Sequence, residues 1–335
     1  MDQCIAHIHA YIENHGLLPP KSRVLLGLSG GPDSLFLLHV LADMRVTHDL
    51  VLIAAHLDHE WRQESAQDAI FCTEICAQLG VPYVTKKISE LGITLKTNGS
   101  KEEHARRMRR HFFEQIKQEH ALDCIVLAHH AQDQQETFFM RLMRGATISG
   151  LVAMRPRQVD RNATYVRPLL ETDKAAILNY LHTHSIAYLT DPSNSSPAYL
   201  RNRIRHQVLP VLQQTDSRFE ANFQRTLLSL QETERFLEQL TDTVFAQITE
   251  SMCASLGDGV RDKRKLNIIL FAEQQEFMRL RIIMRLLISA QVPFTPTTSF
   301  LREIDGFLTH AGSKTHAIHD TWCIVKKQPW AYIER

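Results

Sequence analysis

A six-residue loop stands out for the chemistry that it can support. Ser29-Gly30-Gly31-Pro32-Asp33-Ser34 follows a short apolar run and precedes a stretch with helical spacing. The two glycines let the backbone turn sharply and approach a ligand closely. The following helix presents unpaired N–H groups and the positive end of its dipole, which together favour a phosphate group. A plain strand-to-helix turn capped by Ser or Asp is the alternative interpretation.

The loop matches neither of two common nucleotide-binding motifs. It lacks the Lys-Ser/Thr pair of a Walker A sequence and the glycine spacing of the dinucleotide-binding fingerprint. Asp33 adds a carboxylate beside the predicted phosphates, which makes sense if a divalent cation such as Mg²⁺ bridges them. The sequence therefore predicts a phosphate site with Asp33 as a metal ligand.

A second candidate group is a pair of carboxylates. Asp133 and Glu136 are three residues apart at the start of a predicted helix, so they share one helix face. Such a pair suits a cationic ligand, and one carboxylate could accept a proton. A solvated acidic helix start that complements the dipole is the alternative. The preceding His129 and His130 are equally consistent with hydrogen bonding at a strand end.

One histidine and two arginine pairs complete the candidates. His56 ends an apolar run and is either close to a bound nucleotide or a structural histidine. Arg106 and Arg109 are three residues apart, and Arg201 and Arg205 are four apart. Each pair can share a helix face. Arginine recognises phosphates and displaced bases better than lysine does, but charged helix faces are usually only solvated surface.

The elements that must position these residues follow from apolar periodicity. Apolar runs at 24–29, 50–56, 81–88 and 123–130 alternate with longer helical stretches. Such alternation predicts crossover units and a buried parallel sheet, hence a doubly wound α/β domain over residues 1–210. Ligands of such folds bind at the carboxyl ends of the strands. Residues 211–335 instead contain long helical stretches, which predict a smaller, mainly helical second domain.

Composition excludes several classes of protein. The 335 residues are 44% hydrophobic and 22% charged, which excludes collagenous, disordered and disulfide-stapled chains. The six cysteines form no C-x-x-C pair, which favours free thiols and a cytoplasmic location. The sequence contains neither a membrane-length apolar run nor the pattern of a signal peptide, so we expect no membrane partner.

The net charge of +1 conceals a local basic region. Between residues 141 and 167 there are six arginines and one acid, Asp160. A local basic face is enough to attract phosphates, so the near-neutral total does not argue against an RNA partner.

The loop resembles that of the N-type ATP pyrophosphatases, which cleave ATP between the α and β phosphates. Four further blocks resemble the tRNA(Ile)-lysidine synthetases. These blocks are His56-Leu57-Asp58-His59 with Trp61-Arg62 and Glu64-Ser65; Glu103-His104-Ala105-Arg106 with Arg109; Ala128-His129-His130 through Asp133, Glu136-Thr137, Arg144-Gly145 and Gly150-Leu151; and Arg167-Pro168-Leu169-Leu170 with Asp191-Pro192-Ser193-Asn194 and Tyr199 through Arg205. Gln132 and Arg110 depart from the family pattern.

The resemblance implies a PP-loop ATPase domain and a two-step reaction. ATP would adenylate the C2 oxygen of the wobble cytidine in tRNA(Ile) with a CAU anticodon. The ε-amine of free L-lysine would then displace AMP to give lysidine, which changes codon reading from AUG to AUA and identity from Met to Ile. The C-terminal domain would bind tRNA, and the resemblance leaves a homodimer open.

The resemblance also implies roles for the candidate residues. It assigns Asp33, Asp133 and Glu136 to catalysis, with Asp33 holding Mg²⁺. The residues that it assigns to ATP binding are Ser29, Gly30, Gly31, Pro32, Asp33, Ser34 and His56. Its residues for tRNA or phosphate binding are Arg106, Arg109, Arg144, Arg201 and Arg205.

Three other functions are consistent with the same loop. An amidotransferase synthetase would need an ammonia-producing domain, for which the chain leaves little room. A tRNA thiolase would need a cysteine pair or cluster, which the cysteine spacing does not offer. A non-catalytic protein that only binds tRNA or a nucleotide is the third. The intact loop and the retained acid pair argue against it.

Overall fold

A computed structural model describes residues 3–61, 65–92, 101–160, 162–190, 199–251, 264–294, 297–312 and 314–335. The chain divides into two compact units, Met1–Leu230 and Gln231–Arg335. The sequence places its domain boundary at 210, whereas this division falls twenty residues later. Phe223 and Leu227 account for part of the extension, because they pack with Phe138 and Phe139 inside the first unit.

The first unit is built on a six-stranded sheet in the order β3-β2-β1-β4-β6-β5. Its strands are β1 (Arg23–Gly27), β2 (Val51–Asp58), β3 (Tyr83–Lys87), β4 (Cys124–Val126), β5 (Arg157–Val159) and β6 (Thr164–Val166). All neighbouring pairs are parallel except β5 with β6. The predicted parallel-sheet α/β architecture is therefore confirmed. The β5–β6 hairpin was not predicted, because β5 is a three-residue, fully exposed strand with no apolar run.

Helices cover the sheet and carry the candidate residues. They are α1 (Gln3–Asn14), α2 (Pro32–His48), α3 (Ser65–Gln78), α4 (Lys101–Glu119), α5 (Ala131–Leu142), α6 (Ile148–Leu151), α7 (Lys174–Thr183), α8 (Leu200–Arg203) and α9 (Leu209–Thr215). A further helix, α10 (Phe219–Ile248), begins in this unit. A π-helical turn, Ile204–Val208, directly follows α8.

Two apolar clusters lie on opposite faces of the sheet. Val24 and Leu26 belong to one cluster, together with residues of α2 and α7, whereas Leu25 belongs to the other, with residues of α4. All three side chains are fully buried. Because successive side chains of a strand point to opposite faces, a strand covered on both sides must be apolar throughout.

The second unit combines helices with an antiparallel sheet. Its helices α11 (Ile268–Ala272), α12 (Glu276–Ser289) and α13 (Thr298–Thr309) support the prediction of a mainly helical region. The sheet has the order β7-β8-β11-β10-β9 and contains β7 (Thr249–Ser251), β8 (Arg264–Asn267), β9 (Thr315–His319), β10 (Trp322–Lys327) and β11 (Trp330–Glu334). It was not predicted, because β8 pairs with β11 across a long sequence separation.

Within the described ranges, no helix has both the length and the apolar character that a membrane crossing requires.

Packing between α2 and α7 yields a stability prediction. Phe36 of α2 is fully buried, and its ring meets that of Tyr180 on α7 edge-on at 5.0 Å. Phe36→Ala should lower the free energy of unfolding by about 3–5 kcal/mol, because it removes apolar contacts and leaves a cavity. Chemical denaturation measures this loss. Val46→Ala is the control on the same helix: Val46 is 89% exposed, and its replacement should change stability by at most about 0.5 kcal/mol. Equal losses in the two variants would contradict the prediction.

Candidate active site

The predicted phosphate loop joins β1 to α2. Gly30 has a φ of +76°, a left-handed conformation that favours glycine. A Cβ atom there would lie 2.6 Å from Leu189 Cδ1, so both the backbone conformation and the space require glycine. Gly31 is the N-cap of α2 and Pro32 its first residue. Because Gly31 has no side chain, it cannot cap the N–H groups of the first turn, which stay available to a ligand.

Hydroxyl groups within the loop fix its shape. Ser34 Oγ accepts a hydrogen bond from Ser29 N at 3.1 Å and donates one to Gly31 O at 3.0 Å. The carbonyl of Gly30 accepts a hydrogen bond from Leu189 N at 2.9 Å. The loop is thus held in one conformation by its own side chains and by a distant segment.

His56 supports the base of this loop. Its side chain is buried, and its Nδ1 lies 3.0 Å from the carbonyl oxygen of Leu28, the residue before Ser29. Burial lowers the pKa of His56. The sequence left a nucleotide-proximal and a structural histidine open. The observed hydrogen bond gives His56 a structural contact directly next to the loop.

Asp33 has two positively charged or chargeable neighbours. Lys174 Nζ lies 2.5 Å from Asp33 Oδ1, and His130 Nε2 lies 3.7 Å from Asp33 Oδ2. Lys174 was not predicted. The signal that could have drawn attention to it is a lysine directly after the helix cap Asp173, because the positive end of a helix disfavours a cation.

His130 connects the loop to the predicted acid pair. Its Nε2 also lies 3.5 Å from Asp133 Oδ2, and its backbone N donates to the same oxygen at 3.0 Å. The side chain of His130 is 5% exposed. The imidazole therefore lies between the carboxylates of Asp33 and Asp133, which come from different helices.

The acid pair is buried and paired with two predicted arginines. Arg201 Nη2 lies 2.6 Å from Asp133 Oδ1, and its Nε lies 2.5 Å from Glu136 Oε2. Arg205 Nε lies 2.5 Å from Glu136 Oε1. The Glu136 side chain has no exposed surface. Burial raises the pKa of Asp133, but His130 and Arg201 outweigh it and hold that pKa well below its usual range. A solvated acidic helix start is thus excluded.

The other predicted arginines are exposed and do not contact the acid pair in the described ranges. Arg106, Arg109 and Arg144 all lie at the surface. The charge of Arg109 adds to burial in lowering the pKa of His59 to about 4, so this arginine lies near the end of β2. Burial and the charge of Arg106 lower the pKa of Arg167 to about 10.

Two arginines that were not predicted as site residues, the half-buried Arg141 and the buried Arg167, hydrogen bond to backbone carbonyls near the site. Arg141 donates to the carbonyl oxygens of Gly150 at 2.7 Å and Ala153 at 2.9 Å. Arg167 donates to the carbonyl of Arg155 at 3.0 Å. Their role emerges only from the fold, because the acceptors are backbone carbonyls that leave no pattern in the sequence.

Arg110, one of the two departures from the family pattern, has a structural role. It pairs with Asp160, and its guanidinium lies 4.7 Å from the centre of the Tyr165 ring. Arg62, Glu64 and Asp191-Pro192-Ser193-Asn194 lie outside the described residues.

Comparison with known proteins decides the family. The family model of the PP-loop domain matches residues 2–212, which include the loop, the acid pair and all five predicted arginines. The chain belongs to the PP-loop family. Members of this family use ATP.

Two curated relatives each match about 70% of this chain. A bifunctional TilS/HprT protein of Listeria monocytogenes is 36% identical over 240 residues, covering 72% of this chain and 37% of its own length. A tRNA(Ile)-lysidine synthase of Bacillus subtilis is 36% identical over 232 residues, covering 69% of this chain and 49% of its own length. The chain therefore spans about half or less of these relatives.

Among solved structures, a U34-tRNA thiolase of Methanococcus maripaludis with its [4Fe-4S] cluster has a TM-score of 0.58. It is 18% identical and covers 68% of this chain and 79% of its own. This likeness supports the PP-loop fold.

Asp33 is the carboxylate that the PP-loop offers to a divalent cation. In the described ranges, no three His, Cys, Asp or Glu side chains form a metal-binding group. Asp33, with 28% of its side chain exposed, offers one carboxylate beside the loop. Mg²⁺ commonly takes one or two carboxylates and completes its shell with phosphates and water.

The buried acid next to the PP-loop yields a second stability prediction. Glu136→Gln removes the charge that Arg201 and Arg205 share. Because these arginines are 26% and 33% exposed, water screens part of the charge left behind. We expect a loss of about 2 kcal/mol in unfolding free energy, below the ~3–5 kcal/mol of a fully buried pair.

Urea denaturation at neutral pH measures this loss. The matched control is Glu276→Gln, because Glu276 pairs with Arg302 at 2.9 Å while both side chains are more than half exposed. We expect a change of at most about 1 kcal/mol there. If the two variants were equally stable, the proposed contribution of the Glu136 cluster would be wrong.

Proposed function

We propose that this chain carries the catalytic site of a tRNA(Ile)-lysidine synthetase. The observation that carries the proposal is the joining of the PP-loop to a buried acid pair through Asp33, His130 and Asp133. An ATP site and a site for an amine nucleophile are the two that such a reaction needs side by side. The curated relatives with this name support the choice of reaction.

The first step activates the base. The C2 oxygen of the wobble cytidine attacks the α phosphorus of ATP, and the bond to the β-phosphate oxygen breaks to release pyrophosphate. Ser29, Gly30, Gly31 and Ser34 hold the phosphates through N–H groups and hydroxyls. Asp33 would hold Mg²⁺, which when bound would neutralise charge at the leaving phosphates. The base must leave its stack to reach this site.

The second step forms the carbon–nitrogen bond. The ε-amine of free L-lysine attacks C2 of the adenylated cytidine, the C2–O bond breaks, and AMP leaves. Asp133 and Glu136 would orient the incoming ammonium group, and one of them would take the proton that the nucleophile must lose. Converting the C2 oxygen into part of AMP turns a poor leaving group into a good one.

The two arginines and the substrate ammonium compete for the same carboxylates. Arg201 and Arg205 now balance the charges of Asp133 and Glu136. For lysine to bind there, at least one guanidinium must turn away. Phosphates of tRNA are suitable new partners, because arginine pairs with phosphate as readily as with carboxylate. The predicted roles of the arginines and of the acids are therefore compatible.

The cysteines argue against a thiolase. Burial raises the pKa of Cys72 to about 12 and that of Cys76 to about 11, so both thiols stay protonated at neutral pH. The thiolate is the form that acts as a nucleophile or metal ligand. Among the described cysteines, all of them free, there is no group that could hold a cluster.

Mass spectrometry of the anticodon nucleoside tests the proposed function directly. The chain is incubated with MgATP, L-lysine and CAU-anticodon tRNA(Ile), and the tRNA is digested to nucleosides. We expect lysidine in place of cytidine and no product when lysine or ATP is omitted. An unmodified cytidine, or a thiolated base formed without lysine, would reject the proposal.

Variants of the two aspartates separate the steps. Asp133→Asn should abolish lysine incorporation while MgATP binding is retained, since only the amine site loses charge. Asp33→Asn should abolish tRNA-dependent pyrophosphate release. Lysine incorporation by Asp133→Asn at the wild-type rate would remove Asp133 from the amine site.

A further inference from the structure

The PP-loop of this chain lacks a cation of its own. In Walker A loops a lysine within the loop reaches the β and γ phosphates. Ser29-Gly30-Gly31-Pro32-Asp33-Ser34 contains no basic residue. The departing pyrophosphate nevertheless carries several negative charges, which calls for a cation from another part of the fold.

Lys174 meets this requirement by position. In the described ranges it is the one lysine or arginine in ion-pair contact with a loop residue, 2.5 Å from Asp33 and 141 residues away in sequence. It is also the first residue of α7, where its charge opposes the helix dipole. Helix stability therefore does not account for a lysine at this position.

The Lys174–Asp33 ion pair is partly exposed, so the two side chains can separate. The side chains of Lys174 and Asp33 are 24% and 28% exposed, so neither is sealed in the core. An ion pair of this kind contributes little net stability, because water screens it. The ammonium can thus leave Asp33 for a phosphate oxygen without a large cost.

We propose that Lys174 is a phosphate-binding residue of the nucleotide site. Without nucleotide, its ammonium is held by Asp33. With MgATP bound, Asp33 would hold the metal and Lys174 would donate to the β- or γ-phosphate oxygens, where its charge would stabilise the leaving pyrophosphate. The proposal rests on the proposed use of ATP and does not depend on lysine or tRNA being the other substrates.

Calorimetric titration with MgATP and with AMP tests this role. Lys174→Met keeps the length of the side chain and removes its charge. We expect it to weaken MgATP binding roughly tenfold to a hundredfold, the range for loss of one charge-assisted hydrogen bond, and to leave AMP binding within about twofold. Lys174→Arg should restore most of the MgATP affinity.

A control variant tests whether removing a lysine charge far from the loop has the same effect. Lys117→Met removes a lysine from the last turn of α4, before β4 begins, at the edge of the sheet opposite the loop. It should bind both nucleotides as the wild type does. A purely structural Lys174–Asp33 pair would weaken both nucleotides equally or neither, and either result would overturn the proposal.

A different set of results would show that the proposed lysidine reaction is wrong while the role of Lys174 is right. MgATP binding that depends on Lys174, without any lysidine product, would reject the lysidine reaction and leave the phosphate-binding role intact. A wild-type chain that does not bind MgATP would reject this role as well.

Discussion

Carboxylates beside the PP-loop keep their charge because cations from distant segments reach them. Asp133 lies on α5 with little exposed surface, and burial alone would raise the pKa of its carboxyl group. His130 and Arg201 outweigh this effect and hold the pKa of Asp133 well below its usual range, and Arg201 and Arg205 reach the same acid pair from more than sixty residues away. The positions of α5 and of the α8 region thus depend on one another through these ion pairs.

The sheet makes this convergence possible. Because β1 and β4 are parallel neighbours, the segments that follow them emerge at the same edge. One segment is the loop with Asp33, and the other contains His130 and leads into α5. His56, at the end region of β2, hydrogen bonds to the carbonyl just before the loop. Three adjacent strands therefore determine where the loop, the histidine and the acid pair lie.

Sequence reasoning succeeded where the signal is local. Continuous apolar runs predicted β1 to β4, and the glycine pair predicted the sharp turn at Gly30. It missed what depends on long-range partners. Nothing near Lys174 indicates that Asp33 is its partner, and the spacing of Arg201 and Arg205 predicts a shared face without revealing that buried acids oppose it. The antiparallel sheet of the second unit was missed for the same reason, since short strands become recognisable only through their pairing.

The three carboxylates of the site already have cationic partners. Lys174 pairs with Asp33, whereas Arg201 and Arg205 pair with Asp133 and Glu136. An anion that enters the site therefore meets cations whose charge is already balanced. A stray inorganic phosphate gains little, because it must displace a carboxylate and leave that acid without a counter-ion. A substrate that brings its own cation, such as the metal-bound nucleotide proposed above, would replace both partners at once. These ion pairs would then disfavour the abundant simple anions of a cell relative to a metal-bound nucleotide.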